Sequence, residues 1–206
     1  KEKSKKMSSD SDHLSKGYWN NRYISSQTGW DLAGVSPAIK RWFNQQKNKK
    51  LKILVPGAGL GHEVKYGFDH GFKNIYYMDF ASKASETFLK KNNTFPKSQI
   101  LTGDFFKFES KIKFDVIIEQ TFFCAQHPNK RMDYVNKTHD LLRNQGMLIG
   151  LLFNIDFESE GPPYGGRMEE YRDIFTQKFT FNAFEICNYS VKPRKGYEIW
   201  MELTKK

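Results

Sequence analysis

The segment Leu51-Lys52-Ile53-Leu54-Val55-Pro56-Gly57-Ala58-Gly59-Leu60-Gly61 constrains this chain more than any other. A short aliphatic run ends in three glycines spaced two apart, and Asp79 follows twenty residues after Gly59. That order reads as a buried strand, a tight turn, a helix, and a second strand over 74–78 that closes on an acid. Glycine serves where backbone must turn sharply and lie against a ligand with no Cβ between them. An acid at the tip of the second strand is placed to accept hydrogen bonds from two ribose hydroxyls. The spacing is G-x-G-x-G, which differs from the G-x-G-x-x-G of dinucleotide sites.

From Leu51 onward strand and helix alternate. Strands are expected over 51–55, 74–78, 99–102, 114–119 and 147–153, and helices over 61–70, 83–91, 129–142 and about 169–177. Residues 184–192 and 196–204 read as two strands joined by a Pro-Arg-Lys-Gly turn. Alternation of this kind gives a mainly parallel sheet, and the closing hairpin adds an antiparallel strand at or near an edge. The expected fold is α/β and Rossmann-like: a mostly parallel seven-stranded sheet with an antiparallel C-terminal hairpin and helices on both faces. Upstream, Ser36-Pro37 starts a helix with Ser as N-cap and Pro at the first helical position, and Ile39, Trp42 and Phe43 give it an apolar face.

A chain of 206 residues suits one domain with a full core. That domain is taken as 17–206, behind a basic tail over 1–16 with too few apolar residues to pack. Residues 17–34 carry Tyr18, Trp19, Tyr23 and Trp30 among turn-forming residues. Rings this dense need a surface to cover, so the stretch is expected to form a lid. The net charge of +10 invites a nucleic-acid partner, but the lysines crowd the first sixteen residues, the 47–52 segment and the last two positions. No basic stripe interleaves with aromatics on one element, as a strand-stacking surface requires. No apolar run approaches the ~20 residues of a membrane span, and no signal-peptide core follows the N-terminus. Cys124 and Cys187 lack metal spacing and read as reduced thiols. The expectation is a cytoplasmic monomer with no metal, membrane or nucleic-acid partner.

In such sheets ligands lie outside the carboxyl ends of the strands. Gly57, Gly59 and Gly61, with Asp79, point there to S-adenosylmethionine, whose demethylated product is S-adenosylhomocysteine. The glycine loop lets backbone approach the methionine part, and Asp79 holds the ribose. Asp104 can accept from the adenine amine while Phe80 and Phe105 line the ring faces, and Gln120 can bond the amino group or ribose. Simpler roles stand beside these: Asp104 as a turn residue, Phe105 and Phe106 as core, Glu119 as a cap for the helix that follows its strand. Gly161-Pro162-Pro163-Tyr164 looks like the Asn-Pro-Pro-Tyr turn of amino-methyltransferases. It comes one strand too late and begins with Gly, which argues against base methylation.

Six pieces occur in order: Tyr18-Trp19-Asn20-Asn21-Arg22-Tyr23 with Trp30-Asp31, Val55 to Gly61, Gly103-Asp104-Phe105-Phe106, Thr121-Phe122-Phe123-Cys124-Ala125, Pro128 with Arg131 and Tyr134, and Gly161 to Tyr164. Together they resemble the thiopurine S-methyltransferase superfamily, and the Thr-Phe-Phe-Cys-Ala segment resembles its thiol, thiocyanate and halide methyltransferase branch. The resemblance implies a class I methyltransferase with an aromatic lid in which Trp19, Tyr23 and Trp30 contact the cofactor. Tyr23 stands where that branch often has Trp, Gln120 where it often has Tyr or Arg, and Ala58 where Cys is frequent.

Methyl transfer from a sulfonium is an in-line displacement governed by positioning and desolvation. A soft anion arrives already nucleophilic, which fits the lack of an evident catalytic dyad. On this view Arg131 attracts the small-molecule or small-anion acceptor and Tyr164 closes its side of the site, while His127 reads either as a base for a neutral thiol or as a bystander in the loop. A thiopurine or other small-molecule O- or N-methyltransferase, or a cofactor-binding protein without turnover, are the alternatives.

Overall fold

Alternate residues of the central strands leave for opposite faces, as the period of two requires. Ile53 and Val55 join one buried cluster while Leu54 joins the other, and Val116 and Ile118 divide from Ile117 in the same way. The computed structural model describes residues 15–206. The strands are β1 (Ile53–Pro56), β2 (Ile75–Asp79), β3 (Ile100–Thr102), β4 (Phe114–Gln120), β5 (Leu142–Phe153), β6 (Phe179–Ile186) and β7 (Glu198–Lys205). They form one sheet in the order β3-β2-β1-β4-β5-β7-β6. All pairings from β3 to β5 are parallel, and β7 runs antiparallel to both β5 and β6.

The C-terminal hairpin is therefore present, with its last strand inserted between β5 and β6 and β6 left at the edge. Burial explains the order. In β7, Ile199, Met201 and Leu203 pack on one face while Trp200 packs on the other, as suits an interior strand. In β6, Phe179 and Phe184 are buried while Thr180, Asn182, Glu185 and Ile186 are exposed, which suits an edge. The strand also begins five residues earlier than the sequence pattern implied and stops at Ile186, so 187–197 form a longer connection.

Helices α2 (Pro37–Gln45), α3 (His62–Asp69) and α4 (Ser82–Lys91) cover one face through Ile39, Trp42, Phe43, Val64 and Phe88. Helices α5 (Arg131–Leu141) and α6 (Met168–Thr176) cover the other through Tyr134, Val135, Tyr171 and Phe175. The basic tail lies outside the described residues up to residue 14. Ser15 and Lys16, counted with it, instead open a helix, α1 (Lys16–Ile24), where the Ser15 hydroxyl accepts from the Tyr18 N–H at 3.1 Å as N-cap. The turn residues around it masked this helix in the sequence. It buries none of its residues fully, and the Lys83 N–H at the start of α4 donates to Asn20 Oδ1 at 3.0 Å. Among the described residues no helix is long and apolar enough to cross a membrane, and no group of three His, Cys, Asp or Glu could hold a metal ion.

Candidate active site

The site is assembled from the loops that leave the carboxyl ends of β1, β2, β3, β4 and β5. After β1 the chain turns through Gly57 (φ +60°), Gly59 (φ +55°) and Gly61 (φ +75°), backbone that L side chains rarely adopt. Space is as restrictive as torsion. A Cβ on Gly57 would fall 2.4 Å from the Phe122 ring, and one on Gly59 would fall 2.8 Å from the Tyr23 hydroxyl. Gly61 ends the loop as N-cap of α3 against Phe88.

At the tip of β2, Asp79 Oδ2 accepts from the Gly59 N–H at 2.8 Å and Oδ1 accepts from the Ala81 N–H at 2.8 Å. The acid thus braces the glycine loop. Burial pushes its carboxyl up to about 6, and the backbone donors of Ala81, Gly59 and Phe80 hold it from rising further. The Tyr23 hydroxyl is held well above its usual range by burial first and by the nearby Asp79 charge second.

β4 ends in a sharp turn at Thr121 (φ +57°). Glu119 builds that turn from below. Its fully buried carboxylate accepts from the Phe122 and Phe123 N–H groups at 2.7 and 2.8 Å and from the Tyr134 hydroxyl at 2.6 Å. Burial pushes its carboxyl up to about 7 against those three donors. Glu119 lines neither cavity, and it caps the turn directly after β4 where the sequence suggested the helix that follows.

A cavity of about 710 Å³ lies between these loops and the N-terminal segment. Trp19, Tyr23 and Trp30 wall it on one side, and Gly57, Asp79, Phe80, Asp104 and Phe105 on another, so eight of the residues singled out in the sequence converge. Trp30 meets Trp19 and Tyr23 edge-on, with ring centroids 5.5 and 5.8 Å apart. Asp104 also does the simpler job: Oδ1 accepts from the Phe106 N–H at 2.9 Å and caps a 3₁₀ turn. Phe105 is largely core, 3% exposed. Gly59 and Gln120 line a smaller adjoining cavity of about 40 Å³ that shares Trp30, Gly57 and Thr121 with the larger one. The Gln120 side-chain oxygen is buried there without a hydrogen-bond partner.

The remaining wall comes from Thr121, Cys124, Ala125, Phe153, Pro162, Pro163, Arg194 and Tyr197. Three expectations for this side need correction. Arg131 lines neither cavity; its side chain, 6% exposed, turns into the α5–α6 interface. There its guanidinium donates to Glu170 and to the Gly165 carbonyl, over the rings of Phe123 and Tyr171. Tyr164 also lies outside both cavities. Its N–H donates to the Cys124 carbonyl at 2.7 Å and its ring packs edge-on against His127 at 5.3 Å, leaving Pro162 and Pro163 to face inward. His127 caps a 3₁₀ turn through the Asn129 N–H and reaches neither cavity.

Of the cations that do line the cavity, Arg194 comes from the connection between β6 and β7. Nη2 donates to the Trp30 carbonyl at 2.9 Å, Nη1 donates to Glu198 Oε1 at 3.4 Å, and the guanidinium stands over the Phe153 ring at 5.2 Å. Arg22 and Lys130 also reach the lining. Nothing local in the sequence marks Arg194, which sits in what reads as a hairpin turn.

A sheet of this order, a glycine loop braced by an acid on the second strand, and a cavity at the strands' carboxyl ends define a Rossmann-like class I methyltransferase dependent on S-adenosylmethionine. Residues 14–202 match the family model for thiopurine S-methyltransferase (TPMT), and the chain belongs to that family. Its relatives include probable thiol methyltransferase 2 of Arabidopsis thaliana, 34% identical over 189 residues that span 89% of this chain and 83% of that protein. Thiocyanate methyltransferase 1 of Brassica oleracea is 28% identical over 90% of this chain and 83% of its own. The fold matches the 1,6-didemethyltoxoflavin-N1-methyltransferase of Burkholderia thailandensis, solved with S-adenosylhomocysteine bound. That match has a TM-score of 0.76 at 15% identity and covers 95% of this chain and 89% of that one.

Proposed function

We propose that this enzyme methylates a small soft nucleophile, a thiol, hydrosulfide, thiocyanate or halide, with Arg194 attracting the anion. One observation carries the assignment. Among the described residues lining the larger cavity there is no histidine or glutamate, and the two carboxylates, Asp79 and Asp104, belong to the glycine-loop side. A hydroxyl or amine acceptor needs a proton removed and finds no base; a soft anion needs none. The relatives named for thiol and thiocyanate transfer support the same class.

The residues fit the cofactor. The Gly57 and Gly59 positions admit no side chain, Asp79 offers a buried carboxylate, and the unpartnered Gln120 oxygen is placed to accept from an ammonium or hydroxyl. When bound, S-adenosylmethionine supplies the electrophilic methyl group. Asp79 and Gln120 then orient it, with Asp104 and Phe105 beside Phe80. Trp19, Tyr23 and Trp30 act as a lid that excludes water, and their faces favour a sulfonium by ~0.5–2 kcal/mol. Phe153, Pro162 and Pro163 strip water from the acceptor. The Cys124 thiol is held well above its usual range by burial first and by Glu119 second, so it remains protonated and does not compete as nucleophile. A single-domain cytoplasmic monomer without nucleic-acid partner completes the proposal, in keeping with two buried free cysteines.

The test is methyl transfer from labelled cofactor to a panel: hydrosulfide, thiocyanate, iodide, aryl thiols, thiopurine, a phenol and an amine. Faster labelling of the sulfur and halide acceptors is expected. Preferential labelling of the phenol or amine would return the assignment to an O- or N-methyltransferase.

A further inference from the structure

Arg194 touches the two parts of the site that would otherwise be separate. It lines the acceptor side of the cavity, and its Nη2 holds the carbonyl of Trp30, a residue of the N-terminal segment 164 positions away. Trp30 in turn packs edge-on against Tyr23, whose hydroxyl lies over Gly59 of the cofactor loop. The arginine is largely enclosed, 13% exposed; besides the Phe153 ring beneath it, its guanidinium also meets the buried carboxylate of Glu198. A guanidinium has five N–H groups in a fixed plane, so those two contacts leave donors for an acceptor while the Trp30 contact is kept.

We propose that Arg194 is a positioning residue that couples the acceptor anion to closure of the N-terminal segment, so that acceptor and cofactor each tighten the other's binding. Arg194 already faces Glu198, so an anion acts here through geometry: bound to the free N–H groups it fixes the guanidinium plane, and with it the direction of Nη2 toward the Trp30 carbonyl. The segment then stays over the glycine loop. Linkage makes the effect reciprocal, with factors of about 5 to 150 being usual. The proposal rests on the soft-anion reading above.

The segment has a second tether that serves as control. Next to Trp30, Asp31 Oδ1 bonds His62 Nε2 at 2.7 Å, at the first residue of α3. Breaking it loosens the segment without touching Arg194. The experiment is calorimetric titration of S-adenosylhomocysteine into the full chain with and without saturating thiocyanate or benzenethiolate, whichever is turned over. Thiocyanate or benzenethiolate is expected to tighten the product complex on the order of tenfold in the wild type. Asp31→Asn should weaken both measurements and leave their ratio unchanged. Arg194→Lys should still bind the anion, since a point charge suffices for it, while the ratio falls to near one because an ammonium lacks the rigid fork that spans acceptor and Trp30. A wild-type ratio of one with turnover intact overturns the coupling, as does a tenfold ratio kept by Arg194→Lys. Absence of turnover with every soft acceptor instead overturns the underlying function.

Discussion

Replacing Arg131 by Ala separates what the sequence suggests from what the structure contains. A cation serving the acceptor would raise KM for small anions; an arginine built into the α5–α6 interface lowers stability. Its charge-assisted bond to the Gly165 carbonyl is worth ~1.5–3 kcal/mol. The two ring faces, with centroids 5.4 and 5.2 Å away, add up to ~2 kcal/mol in so enclosed a place. The ion pair with Glu170 adds under ~1 kcal/mol, because that carboxylate is 49% exposed. Against these stands the buried Nε, which has no partner and returns ~1–3 kcal/mol on removal. The net loss is about 2 kcal/mol, or roughly 4–8 °C in melting temperature for a chain of this size. Urea unfolding followed by circular dichroism gives the first quantity, and thiocyanate KM on the folded variant gives the second. An Arg131→Ala protein as stable as the wild type with KM raised tenfold would refute the placement and restore Arg131 to the acceptor site.

Cofactor binding should depend on pH through Asp79. Its folded carboxyl lies near 6 against a reference of 3.8, so the free protein binds more protons than the unfolded chain in that window and loses stability as pH rises through it. A ligand hydroxyl needs the carboxylate, so affinity for S-adenosylhomocysteine should rise from pH 5 through the midpoint near 6 and level off about one pH unit above it; Asp79→Asn should bind weakly and without that slope, by calorimetry. Glu119→Ala leaves three buried donors unpaired and should cost at least ~3 kcal/mol, whereas Glu119→Gln keeps an acceptor and should cost far less; denaturation midpoints distinguish them, and equal losses would count against the cap. Amide exchange over residues 16–34 should slow at least tenfold with S-adenosylhomocysteine bound; protection confined to the glycine loop would rule out a lid.

Much of the architecture is local in origin and so was legible. Three glycines at φ near +60° leave few residue types possible, and the alternation of Ile53, Leu54 and Val55 follows from a strand buried on both faces. Asp79 was legible because its interval from Gly59 is the length of one turn, helix and strand. Helix α1 was hidden among turn-forming residues, because its order depends on a serine cap and on contact with α4.

The acceptor side shows the limit. In sequence, Arg131 and Arg194 are two arginines shortly after prolines, and only the first follows a strand that ends at the site. The direction of each guanidinium is set by partners 34 and 39 residues away for Arg131 and 164 residues away for Arg194. Likewise, the chain specified a terminal hairpin, but the competition of two strands for a doubly covered position placed β7 inside β6. Periodicity and torsion act over a few residues and are written in the sequence; which cation faces the cavity is decided by packing between distant segments.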